Sequence, residues 1–150
     1  MIILLYGQPA SGKTTLSNKL KNVYQGDKVI QIDGDKWRDV TKNKDYSKEG
    51  RLRNLKGAFD MAIYLEKSGY TPILSFVTPY DDLRKYLHDN CTELRQIYLF
   101  YNNQEDDRGR NMNFANDFEE PSHNVSFLTL NTSNLSIDDC VSEIVNFIKK

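Results

Sequence analysis

The chain opens on the apolar run Ile2 to Leu5, which breaks at Gly7, the pattern of a short buried strand entering a loop. Leu16, Leu20 and Val23 follow at helical spacing with Ser17, Asn18 and Lys19 between them, predicting a first helix over 14–24. Gly26 and Asp27 turn the chain into Lys28–Ile32, a short strand with β-branched residues that delivers Asp33-Gly34-Asp35. From Ser47 to Ser68 the positions Leu52, Leu55, Phe59, Ala62, Ile63 and Leu65 fall mostly three or four apart, describing a long amphipathic helix that closes at Gly69. Thr71–Val77 predicts a third strand, Asp81–Asn90 a helix with acidic residues in its first turn, Leu94–Tyr101 a fourth strand and Val125–Leu130 a fifth. Ser136 heads a last helix, with Asp139 in capping-box position and Val141, Ile144, Val145 and Ile148 on its inner face. Strands alternating with helices predict an α/β fold, a five-stranded parallel sheet covered on both faces. The polar stretch 102–124 sustains no period and reads as a lid.

Length and charge narrow the classes. A chain of 150 residues with 39% hydrophobic content suits one domain spanning 1–150. Twenty basic residues against 21 acidic ones give a net charge of −1 and no global electrostatic case for a nucleic-acid partner. Cys91 and Cys140 stand far apart in no metal-binding spacing and read as reduced structural thiols. No stretch approaches the length of a membrane span, and the apolar start has neither a basic leader nor a cleavage signature, so a cytoplasmic location is expected.

The loop after the first strand changes the picture most. Gly7, Gly12, Lys13 and Thr14 satisfy G-x-x-x-x-G-K-[ST], in which successive backbone N–H groups wrap a polyphosphate and deliver it to the positive end of a helix. The expected nucleotide cradle is therefore Gly7, Gln8, Pro9, Ala10, Ser11, Gly12, Lys13, Thr14 and Thr15, within a three-layer P-loop NTPase fold of the nucleotide-kinase kind. Side chains at Gly7 or Gly12 are expected to obstruct the phosphates. Lys13 supplies positive charge to the β- and γ-phosphates of ATP, and Thr14 offers a hydroxyl to Mg²⁺. Asp33 and Asp35 leave the second strand at the same end of the sheet, so they face one crevice with the loop. A carboxylate there can accept or orient the proton of an attacking alcohol; Asp33 is the first choice, with Asp35 as a Mg²⁺ partner or substrate-binding group. The triplet could equally form an Asx-turn around Gly34. Asn43-Lys44-Asp45 has the letters of a guanine-reading motif at the wrong spacing, and nothing resembles a motor ATPase; a polar, arginine-bearing segment before the last strand fits a small-molecule kinase.

Further motifs sharpen this. Asp33-Gly34-Asp35-Lys36-Trp37-Arg38, Tyr46-Ser47, Arg51 with Asn54, Ser75-Phe76-Val77-Thr78-Pro79-Tyr80 with Arg84, and Phe118-Glu119-Glu120-Pro121 resemble, in order, the motifs of adenylylsulfate kinases. The resemblance implies ATP-dependent phosphorylation of the 3′-hydroxyl of adenosine 5′-phosphosulfate. It further implies that Arg38 and Arg51 meet the phosphosulfate, that Asn54 hydrogen-bonds the adenosine, that Tyr46 stacks on adenine and that Val77 and Thr78 line the pocket. Thr78 stands where the family usually has a serine that some members phosphorylate. Tyr80 is expected to pack and Arg53 to lie on a solvated face. Members are commonly dimeric, the only ground for expecting a homodimer.

The lid departs from the family pattern. Arg108-Gly109-Arg110-Asn111-Met112-Asn113-Phe114 lacks the family's lysine, leucine and tyrosine and is shorter. Arg108 is expected to stack on the ATP adenine or clamp a phosphate, with Arg110 as an alternate, and Phe114 to contact the acceptor. The departure keeps two other readings open: a P-loop kinase acting on another nucleotide, a nucleic-acid end or a sugar, and a nucleotide-binding regulatory protein.

Overall fold

The computed structural model describes residues 1–26, 28–102, 114–121 and 126–150. Five parallel strands, β1 (Ile2–Tyr6), β2 (Val29–Asp33), β3 (Thr71–Phe76), β4 (Leu94–Phe100) and β5 (Phe127–Asn131), lie in the order β2-β3-β1-β4-β5. Helices α1 (Lys13–Val23), α2 (Gly34–Thr41), α3 (Lys48–Lys67), α4 (Asp81–Asn90) and α5 (Ile137–Lys149) connect and cover them.

The side-chain alternation of β1 divides the interior into two layers. Ile2, Leu4 and Tyr6 pack with Leu55, Ala58, Phe59 and Ala62 of α3 and Leu87 of α4. Ile3 and Leu5 pack with Leu16 and Leu20 of α1 and Val141, Ile144 and Ile148 of α5. A strand buried on both faces is apolar at every position, which explains the unbroken run at the chain's start.

The sequence did not indicate α2. Its eight residues present little apolar surface and begin on a glycine, so no period announces it. Its start is set by Asp33, whose carboxylate accepts from the amides of Asp35 and Lys36 at 3.2 and 3.5 Å. The Asx alternative for this triplet thus materialises as a helix cap. The other helices begin within a residue of expectation, with Ser47 capping α3 through the amide of Gly50 and Ser136 capping α5 through that of Asp139. The predicted lid, including Arg108, Arg110 and most of 102–124, lies outside the described residues. Among the described residues no helix is long and apolar enough to cross a membrane.

Candidate active site

The strand order places β1 between β3 and β4, so the phosphate loop emerges at the sheet's centre, where α/β sheets bind ligands beyond their strand ends. Gly7 has a reason besides the one expected: a Cβ there would sit 2.1 Å from the carbonyl oxygen of Leu99, so β4 itself demands the glycine. Gly12 caps α1 at φ 96°, a conformation that side chains disfavour. Lys13 is buried, its Nζ donating to the carbonyls of Gly7 and Gln8 at 3.1 and 2.8 Å and to Ser11 Oγ at 3.4 Å. Burial pushes its pKa down to about 8, against the attraction of Asp35 and Asp33. The Gln8 side chain engages the backbone of Ala115. Its Nε2 donates to the carbonyl of Ala115 at 2.7 Å and its Oε1 accepts from the Ala115 amide at 3.0 Å.

Asp33 is the junction of the site. One oxygen, Oδ1, accepts from Thr14 Oγ1 and Ser75 Oγ, each at 2.8 Å, while Oδ2 caps α2. Register explains the contact, because Asp33 pairs with Ser75 at the ends of β2 and β3. Ser75 escaped the sequence reading of site residues; its signal was a hydroxyl near the end of an apolar strand, opposite an aspartate. Asp35 sits exposed on the first turn of α2, also lining the cleft.

A cleft of about 460 Å³ joins these groups to the second set of expected residues. Its lining includes Pro9, Ala10, Gly12, Lys13, Thr14 and Thr15 on the nucleotide side and Arg38, Tyr46, Arg51, Asn54, Val77 and Thr78 across from them. Arg38 Nη1 donates to the carbonyls of Asn43 and Asp45 and to Asn43 Oδ1 at 3.0–3.2 Å, and its guanidinium lies 3.9 Å above the Tyr46 ring. The Asn43-Lys44-Asp45 run therefore serves as the mount for Arg38. Arg51 reaches Asp117 at 3.6 Å. Asn54 is buried, its backbone carbonyl accepts from Trp37 Nε1, and its side-chain Oδ1 has no hydrogen-bond partner among the described residues.

The structure adds detail at three of the expected residues. Phe114, half-buried, is not among the residues lining the cleft. Tyr80 packs as expected but also donates to Asp117 Oδ2 at 2.8 Å. Thr78 is wholly buried with its hydroxyl donating to the carbonyl of Phe76, a poor position for covalent modification. It adopts φ 48°, strained for a β-branched residue before proline, and Arg84 Nη1 holds its carbonyl at 2.7 Å.

A phosphate loop facing a wall of arginines and an amide, with a carboxylate between them, defines a P-loop kinase. The adenylylsulphate kinase family model matches residues 1–111, and the chain belongs to that family as an ATP-dependent kinase. A probable adenylyl-sulfate kinase of Aeropyrum pernix is 29% identical over 170 residues, covering 99% of this chain and 92% of that protein. A cytidine diphosphoramidate kinase of Campylobacter jejuni is 29% identical over 104 residues, covering 67% of this chain and 58% of that protein. The crystal structure of APE1195 matches with a TM-score of 0.82 at 28% identity, covering 99% of this chain and 94% of the other.

Proposed function

We propose that this protein transfers the γ-phosphoryl group of ATP to the 3′-hydroxyl of adenosine 5′-phosphosulfate, giving 3′-phosphoadenylyl sulfate and ADP. The observation that carries this reading is the wall opposite the phosphate loop. Two guanidinium groups suited to a tetrahedral oxyanion pair stand beside an aromatic ring and a buried amide oxygen with an unused lone pair. An adenine amino group would satisfy Asn54 Oδ1, and burying that oxygen without a donor is costly.

The residues divide the work. The backbone of Gly7–Thr15 and Lys13 hold the triphosphate, and Arg108 is assigned to the ATP side. Thr14 would offer its hydroxyl and Asp35, at the rim of the cleft, its carboxylate to Mg²⁺, both of them the hard oxygen donors that this ion prefers. The metal, when bound, neutralises charge developing on the phosphoryl group. Asp33 accepts the proton of the 3′-hydroxyl as its oxygen bonds to the γ-phosphorus and the bond to the β-phosphate bridging oxygen breaks. Ser75 and the α2 amides hold that carboxylate in place.

A second reading keeps the same transfer with a different acceptor, favoured by the likeness to the Campylobacter jejuni cytidine diphosphoramidate kinase. A coupled ADP-release assay separates the two, with adenosine 5′-phosphosulfate beside cytidine diphosphoramidate, other nucleotides, sugars and oligonucleotides. Turnover with the first alone is expected; turnover only with another acceptor overturns the leading reading. In the same assay Lys13→Ala abolishes activity, whereas Asp33→Asn keeps ATP binding and lowers kcat by about 100-fold or more.

A further inference from the structure

Residues 114–121 form a strap fixed at several points. At one end both polar atoms of the Gln8 amide engage Ala115. At the other the Glu119 amide donates to the carbonyl of Pro79 at 2.7 Å, Glu119 Oε1 accepts from the Asp81 amide at 2.8 Å, and the buried Arg84 donates to the carbonyls of Glu119 and Glu120. Asp117 stands between these anchors, with one oxygen held by Tyr80 and the other toward Arg51. The Arg51 side chain is only 12% exposed, and its charge also bears on the Tyr80 hydroxyl. Nothing in the family resemblance or in the chemistry of the cleft gave Asp117 a part.

We propose that Asp117 is a positioning residue for acceptor binding: through its bond from Tyr80 it fixes the direction in which Arg51 presents its guanidinium to the acceptor's anionic group. An arginine side chain has many rotamers, and ordering it only when substrate arrives subtracts from affinity. A carboxylate on a strap anchored at both ends orders it beforehand. Because Asp117 does not line the cleft, it acts through Arg51 rather than on the substrate. This rests on the reading of Arg51 as a ligand of the acceptor.

The test is Asp117→Asn, which removes the charge and keeps an oxygen for Tyr80. With adenosine 5′-phosphosulfate as acceptor, KM rises about fivefold, the range of a partly solvated ion pair, while kcat and the KM for ATP stay within twofold. Added to Arg51→Ala, the substitution does nothing further. An unchanged acceptor KM, or full additivity with Arg51→Ala, overturns the proposal, as does a loss of kcat with KM unmoved. Tyr80→Phe, which removes the tether alone, shifts KM the same way and serves if Asp117→Asn does not fold. Should the wild-type protein not turn over this acceptor, the functional reading fails by itself. The positioning role is then decided by NMR of the Arg51 side-chain Nε–H: greater mobility in Asp117→Asn supports it, and an unaltered signal refutes it.

Discussion

Lys13 carries its charge into a buried position, and the three loop acceptors around Nζ only partly offset the loss of water. Its folded-state pKa of about 8 lies below the ordinary 10.5, so between those values the unfolded chain binds more protons than the folded one and stability rises with pH. Below about pH 8 the charged lysine costs the nucleotide-free protein stability. Unfolding free energies measured by urea titration from pH 7 to 10.5 should therefore climb more steeply for the wild-type protein than for Lys13→Met, by at most about 3 kcal/mol. Saturating ADP should flatten that difference, because phosphate oxygens restore a partner to the ammonium group. A parallel pair of curves without nucleotide would refute the assignment. The lysine was legible as a letter in a motif, but its burial was not, since burial depends on how the loop folds back over its own helix. The second reason for Gly7 was equally hidden, because Leu99 is distant in sequence and close only across β1 and β4.

At the scale of elements, legibility followed apolar period. Helices α3 and α5 declare themselves through Leu55, Phe59 and Ala62 and through Val141, Ile144 and Ile148, residues whose burial repeats every three or four positions. Helix α2 does not: Trp37 meets α3, no residue of the helix is fully buried, and only the cap on Asp33 marks it. The strap was recognisable only by resemblance, since its order comes from side chains on other elements. Arg84 is the chief of these. It is 2% exposed, lies 5.0 Å from the Tyr6 ring and 5.7 Å from that of Phe118, and bonds the carbonyls of Thr78, Glu119 and Glu120. Arg84→Met leaves those carbonyls without their donor and is expected to cost about 3 kcal/mol or more in urea unfolding. Arg84→Lys recovers little, because one ammonium cannot span both sets of acceptors. A melting temperature unchanged in either variant would show that the strap is held by other means.

At the scale of the whole molecule, the sheet separates two apolar layers that share no side chain among the described residues. Phe59 belongs to one and Ile144 to the other, both fully buried. Phe59→Ala is expected to cost about 3–5 kcal/mol and Ile144→Ala about 2–5 kcal/mol. Their double variant should equal the sum within about 0.5 kcal/mol. Coupling well above that would mean that the sheet transmits strain from one face to the other. The layered architecture could be read from alternating elements, whereas the strand order could not, because it depends on which edges meet after each crossover.

The chain leaves the sheet at Asp33 and returns at Thr71 to the strand next door, so the wall from Arg38 to Asn54 that faces the phosphate loop is an excursion between two adjacent strands. An excursion of that kind can be rewritten without moving the cradle that grips ATP, since Thr14 and Ser75 hold its point of departure. Descendants of such a protein could change what stands opposite the phosphate loop by revising that single stretch, leaving the loop as it was.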